Sequence, residues 1–183
     1  MNMKFDECDI NGCYLITPRI IEDDRGLFVK IFHKEMYDQQ YLESDFKEEY
    51  YSTSKKNVIR GMHFQTPPSD HAKLVYCISG VVEDVFIDLR KKSTTYLKHQ
   101  KVNLDDNKKQ VLYLPKGVAH GFLTLSESAT MVYKTTTVYN PEKDSGIHWD
   151  SCGIDWSIEE PIISKRDGGF CSLENFNTPF VNK

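Results

Sequence analysis

The chain has no apolar run long enough to cross a bilayer, and its start, "MNMKFDECDI", carries acidic residues where a secretory signal would need an apolar stretch. Both absences set the expectation of a cytoplasmic protein with no membrane partner. There is no C-x-x-C pair. The five cysteines, Cys8, Cys13, Cys77, Cys152 and Cys171, are odd in number and scattered, which argues for reduced thiols and against a cysteine zinc site. There is no basic tail, and the net charge is −4, which argues against a nucleic-acid partner. A local cationic pocket remains open, because Arg25, Arg60 and Lys73 stand near the most suggestive residues. Repeats, low-complexity segments and interdomain linkers are also missing.

What is present suits one folded unit. Of 183 residues, 39% are hydrophobic and 27% charged, the balance of a globular chain with a single core. The expected domain spans residues 1–183, with the tail from about residue 161 packing over the body. Short strands are expected at 12–18, 26–32, 58–65, 72–79, 82–89, 98–103, 110–115, 120–125 and 130–138. Turn signals such as "DDRG", "TPPSD", "SG" and "PKG" separate them. "HKEMYDQQYLESD" predicts a short helix. "KLVYCISGVVEDVFIDLR" reads as a hairpin with both faces covered. The N-terminal segment reads as a strand without an obvious hairpin partner. The class is all-β, a sandwich or barrel with a few short helices.

Several residues could carry chemistry. "IRGMHFQ" sets His63 in a strand; on an ideal strand Gly61 and His63 face one side and Arg60, Met62 and Phe64 the other. Lys73, His120, Tyr133 and, in "ISKRDGG", Asp167 join it. Each has an ordinary alternative: a satisfied strand histidine, a solvated lysine, a packing aromatic, a loop carboxylate. "LPKGVAHGF" has the Pro-x-Gly-x-x-His spacing of a second cupin motif. The first metal motif of that fold needs two histidines one residue apart. Here His63 and His71 are eight apart, with Lys73 close by, whose charge would repel a metal ion. A cupin-like jelly roll with no metal and no cofactor is therefore expected.

"VIRGMHFQTPPSDHAKLVYCISGVVEDVFIDLRKKSTTY", "LYLPKGVAHGFLTL", "YKTTTVYNPEKDSGIHWD", "GIDW" and "PIISKRD" follow one another in the chain. In that order they resemble the dTDP-4-dehydrorhamnose 3,5-epimerase family, from about "DDRGLF" to "SKRD". The resemblance implies a metal-free jelly roll, a homodimer, and a nucleotide-linked 4-keto-6-deoxy sugar as substrate. A C4 ketone makes the protons on C3 and C5 removable, and reprotonation from the other face inverts the centre. By resemblance His63 is the base, Asp167 orients it, Lys73 meets the enolate oxygen, Tyr133 donates the proton from the opposite face, and His120 is a second active-site histidine. The same resemblance puts Arg60, Arg25, Glu48 and Tyr139 at the substrate, Arg60 only if its strand twists or bulges.

Some positions depart from the family pattern. "EEYYS" places Glu48 and Tyr50 where neutral amides are usual, Lys30 stands where glutamate is common, and His71 where glutamine is usual. The nucleotide is accordingly open among dTDP, CDP and GDP, and inversion is open between one centre and two. Competing readings are a 3,4-ketoisomerase of the same fold, a non-catalytic binding cupin and a metal-dependent cupin.

Overall fold

In the computed structural model, which describes residues 3–181, thirteen strands form two packed antiparallel sheets and a separate hairpin. The first sheet contains β1 (Lys4–Glu7), β2 (Tyr14–Thr17), β5 (Glu48–Lys55), β7 (Lys73–Ser79), β10 (Val111–Leu114) and β12 (Ser128–Thr135), in the order β1-β2-β10-β7-β12-β5. The second contains β6 (Ile59–Gln65), β8 (Val81–Asp88), β9 (His99–Asp105), β11 (Val118–Thr124) and β13 (Asp144–Gly146), in the order β13-β6-β11-β8-β9. The hairpin pairs β3 (Arg19–Asp23) with β4 (Gly26–Lys30). One short helix, α1 (Lys34–Asp38), follows it. The all-β jelly-roll class expected from the strand pattern holds. No helix among the described residues is long and apolar enough to cross a membrane.

Period-two alternation explains the layers. On β8, Val82 and Phe86 face the space between the sheets, where they meet Val75, Leu112 and Met131. Val85 and Ile87 face the other way and are covered by Ile154, Trp156 and Phe180 of the C-terminal region. Covering both faces is why β8 carries apolar residues on both sides of the strand, interrupted by the buried Glu83, Asp84 and Asp88. Each large side chain so buried contributes about 1.5–3 kcal/mol. The outer face of the first sheet, with Leu74 and Val111, is closed by Tyr37 of α1 and by Met3.

Two expectations are corrected. "KLVYCISGVVEDVFIDLR" is not a hairpin: β7 and β8 belong to different sheets, so the "SG" turn is a corner that carries the chain across the sandwich. Gly80 has φ +85, and a Cβ there would collide with the carbonyl oxygen of Ser128. The N-terminal strand does have a partner in its own chain, since β1 pairs with β2 from Lys4↔Thr17 to Glu7↔Tyr14. The strand at β5 was not anticipated. Its sequence, EEYYSTSK, has no apolar alternation because β5 is a sheet edge that turns polar groups into a cavity.

Candidate active site

A cavity of about 420 Å³ opens between the two sheets. The inner faces of four strands supply His120, Lys73, Tyr133 and His63, and the edge strand β5 adds Glu48, Tyr50 and Ser52. On β11, Val118 and Phe122 point into the sandwich core, and so does His120 between them. On β7 the inner set is Lys73, Val75 and Cys77, and on β12 it is Met131 and Tyr133. The fourth strand, β6, breaks its alternation. Ile59 and Met62 pack outward, Phe64 packs with them and also borders the cavity, and both Arg60 and His63 line it. The cause is an irregularity at Gly61. The β6–β11 register shifts between His120 and Phe122, and Gly61 has φ +154 with its Cα packed so closely on β11 that a Cβ would lie 2.6 Å from Gly121 Cα. The bulge that Arg60 needed in order to face the site is therefore there.

His63 and His120 are cross-strand neighbours on one wall. Nε2 of His63 is 3.0 Å from Oδ2 of Asp167, which lies in a short 3-10 turn (Asp167–Gly169) of the C-terminal region. The same carboxylate oxygen accepts a hydrogen bond from the Gly61 amide at 3.2 Å. Burial works to raise the Asp167 carboxyl, but the His63 contact and that amide outweigh it and leave it lowered. For His63, burial lowers the imidazole below its ordinary 6.5 despite Asp167, and the Lys73 charge adds to the fall. The result is a neutral ring at neutral pH with Nε2 beside a carboxylate.

Lys73 is buried, and its Nζ donates to the His63 carbonyl at 3.1 Å. Burial brings its pKa down to about 8, with Asp144 and Asp84 pulling the other way. His120 Nε2 lies 2.8 Å from Asp84 Oδ2, and both groups are buried. Burial raises the Asp84 carboxyl, and His120 opposes that rise. Tyr133 comes from the other sheet. Its hydroxyl is 3.3 Å from Ser52 Oγ, and its ring stacks on Tyr50 with centroids 4.9 Å apart. Burial pushes the phenol well above its usual range, so it is protonated. A neutral imidazole on one sheet and a protonated phenol on the other thus line one cavity, with a lysine ammonium at the same cavity. That is an arrangement for removing a proton on one face of a carbon and returning one on the other.

The sequence profile of the dTDP-4-dehydrorhamnose 3,5-epimerase family matches residues 7–175. The chain belongs to the dTDP-4-dehydrorhamnose 3,5-epimerase family. It is 41% identical over 170 residues to the dTDP-4-dehydrorhamnose 3,5-epimerase of Escherichia coli K12, covering 91% of this chain and 92% of that one. The crystal structure of dTDP-4-dehydrorhamnose 3,5-epimerase from Elizabethkingia anophelis superposes with a TM-score of 0.92 at 34% identity, covering 97% and 100% of the two chains. The Legionella pneumophila dTDP-6-deoxy-D-glucose-3,5-epimerase, solved in complex with dTDP-4-keto-L-rhamnose, gives 0.91 at 33% identity, covering 96% and 95%.

Within this epimerase-family fold, the remaining expected residues divide. Arg60 lines the cavity and donates from Nε to Ser54 Oγ at 2.8 Å. Glu48 turns its carboxylate to the Tyr139 backbone amide, and both residues line the cavity. Arg25 is different. It sits exposed at the β3–β4 turn, paired with Asp23, and does not line the cavity of its own chain. His71 does line it, and burial takes its ring down to about 3.

The sequence reading missed Ser52, Asp84, Asp144 and Arg166. Arg166 reaches Asp144 at 2.6 Å, and both line the cavity. Asp84 had a legible signal: it is a carboxylate set between Val82 and Phe86 on the core-facing side of "VVEDVFID". Among the described residues there is no group of three His, Cys, Asp or Glu side chains that could hold a metal ion.

Proposed function

We propose that this protein inverts C3 and C5 of a dTDP-linked 4-keto-6-deoxyhexose. The observation that carries the reading is the placement of His63 and Tyr133 on the two sheets that line one cavity, with Lys73 at the same cavity. His63 takes the proton from the carbon next to the ketone, and the C–H electron pair moves into the ring bond as the carbonyl becomes an enolate. The Lys73 ammonium, in a low-dielectric site, stabilises the oxygen that gains charge. Tyr133 gives its proton to the opposite face of the carbon, and the phenolate and imidazolium then exchange with solvent. A second round at the other carbon uses the same groups. His120, held by Asp84, lies against the sugar, and Arg60 and Arg166 are the cavity's guanidinium groups for the diphosphate. The dTDP-sugar in the Legionella pneumophila structure supports dTDP among the possible nucleotides.

Proton NMR of dTDP-, CDP- and GDP-linked 4-keto-6-deoxyhexoses incubated with the protein tests this. Turnover is expected with the dTDP sugar, and faster turnover of either of the others overturns the nucleotide assignment. A product whose carbonyl has moved from C4 to C3 would favour the ketoisomerase.

The protein acts as a homodimer in which the β3–β4 hairpin reaches the partner's cavity and delivers Arg25. Ile20, Ile21, Leu27 and Phe28 are all more than 40% exposed on this hairpin, a cluster of apolar side chains that a second copy would cover. Light scattering is expected to give twice the chain mass. Phe28→Glu is expected to yield monomer with activity reduced about tenfold or more, the effect of losing a positioned contact. A wild-type monomer with full activity would exclude this arrangement.

A further inference from the structure

The edge strand β5 turns every second residue inward, Glu48, Tyr50 and Ser52 lining the cavity and Ser54 lying beyond them against Arg60. Glu48 accepts from the Tyr139 amide, Tyr50 stacks on Tyr133, Ser52 meets the Tyr133 hydroxyl, and Ser54 accepts from Arg60 Nε. Two of these four contacts fall on the proton donor. Tyr133 and Tyr50 are direct register partners on β12 and β5, and their rings lie 18° from parallel with centroids 4.9 Å apart. Ser52, two residues further along the same face, stands 3.3 Å from the phenol oxygen. A phenol has two freedoms that matter for donation: the tilt of its ring about the side-chain bonds and the rotation of its O–H. The stack limits the first. Ser52 bears on the second: either hydroxyl can donate across the 3.3 Å contact, and when the serine donates, the phenol proton is left to point at substrate.

We infer that Tyr50 is a positioning residue for this reaction: its ring holds Tyr133 at the angle from which the proton reaches the carbon. The inference rests on Tyr133 being the donor. Tyr50 itself is 45% exposed, so its ring is not needed to fill the core, and the stacked face is the one structural demand visible on it. Its hydroxyl shares the cavity with Glu48, Asp144 and Arg166. Removing the ring and removing the hydroxyl are therefore separable changes.

The readout is the ratio of inversion to solvent proton exchange in D₂O, which a merely structural role would not move. Proton removal and return by His63 gives exchange without inversion, whereas inversion needs Tyr133. Tyr50→Ala is expected to lower inversion by about tenfold relative to exchange, on the scale of a sub-ångström misplacement of a reacting group. Tyr50→Phe, which retains the ring, is expected to return the ratio toward wild type. Tyr50→Leu replaces Tyr50→Ala if the alanine variant does not fold. An unchanged ratio in the ring-deleted variant, while Tyr133→Phe does lower it, overturns the positioning role alone. An unchanged ratio in Tyr133→Phe overturns the donor assignment on which it rests. A loss in Tyr50→Phe as large as in Tyr50→Ala assigns the effect to the hydroxyl and also overturns the inference.

Discussion

His63→Ala is expected to lower turnover by about 10²–10⁴-fold or more, the range for a positioned acid–base group. Near wild-type solvent exchange of the substrate's C3 and C5 protons in this variant would show that another group is the base. The effect should be expressed in kcat more than in KM, because the imidazole acts on the reacting carbon and the guanidinium groups are left to bind the diphosphate. The pH profile gives the sign. Burial holds His63 below 6.5, so kcat/KM is expected to fall only as pH drops below that value, when the ring becomes protonated and ceases to be a base.

Lys73→Met is expected to cost about 10²–10³-fold in kcat, the scale for removing one preorganised donor from a developing oxyanion. The side chain is buried and methionine approximates its length, so folding should be largely retained. The alkaline limb supplies an independent check. Lys73 loses its proton near pH 8, so the wild-type rate is expected to decline as pH rises through that value. The decline should be absent from what activity Lys73→Met retains. A variant within threefold of wild type, or one with an unaltered alkaline limb, would place the stabilisation of the enolate elsewhere.

The parts of the fold legible in the sequence are those where burial writes a pattern. β6, β8 and β11 were expected almost to the residue, because turn residues bound them and apolar side chains fill them. Pairing was less legible. An "SG" turn suits both a hairpin and a corner between sheets, and only the packing of β7 beside β10 and β12 decides between them. β5 escaped because an edge strand facing a polar cavity has no apolar alternation to show. The same strand holds Ser52 and Tyr50, so missing it hid the support of the donor. His63, Lys73, His120 and Tyr133 were named from motif and resemblance, and the structure brings all four to one cavity with Asp167 behind His63. Arg60 was set on the far side of an ideal strand, because a local shift at Gly61 is invisible to a count of alternate residues.

The most direct test of the central claim, a base on one wall and a donor on the other, is the isotope pattern of the product. The dTDP-linked 4-keto-6-deoxyhexose is incubated in D₂O with wild type and with Tyr133→Phe and read by NMR and mass spectrometry. Wild type is expected to place deuterium at both C3 and C5 with inversion at both. Tyr133→Phe is expected to keep deuterium uptake through His63 while losing inversion at both centres. Inversion at both centres by Tyr133→Phe at the wild-type rate would contradict the two-wall mechanism.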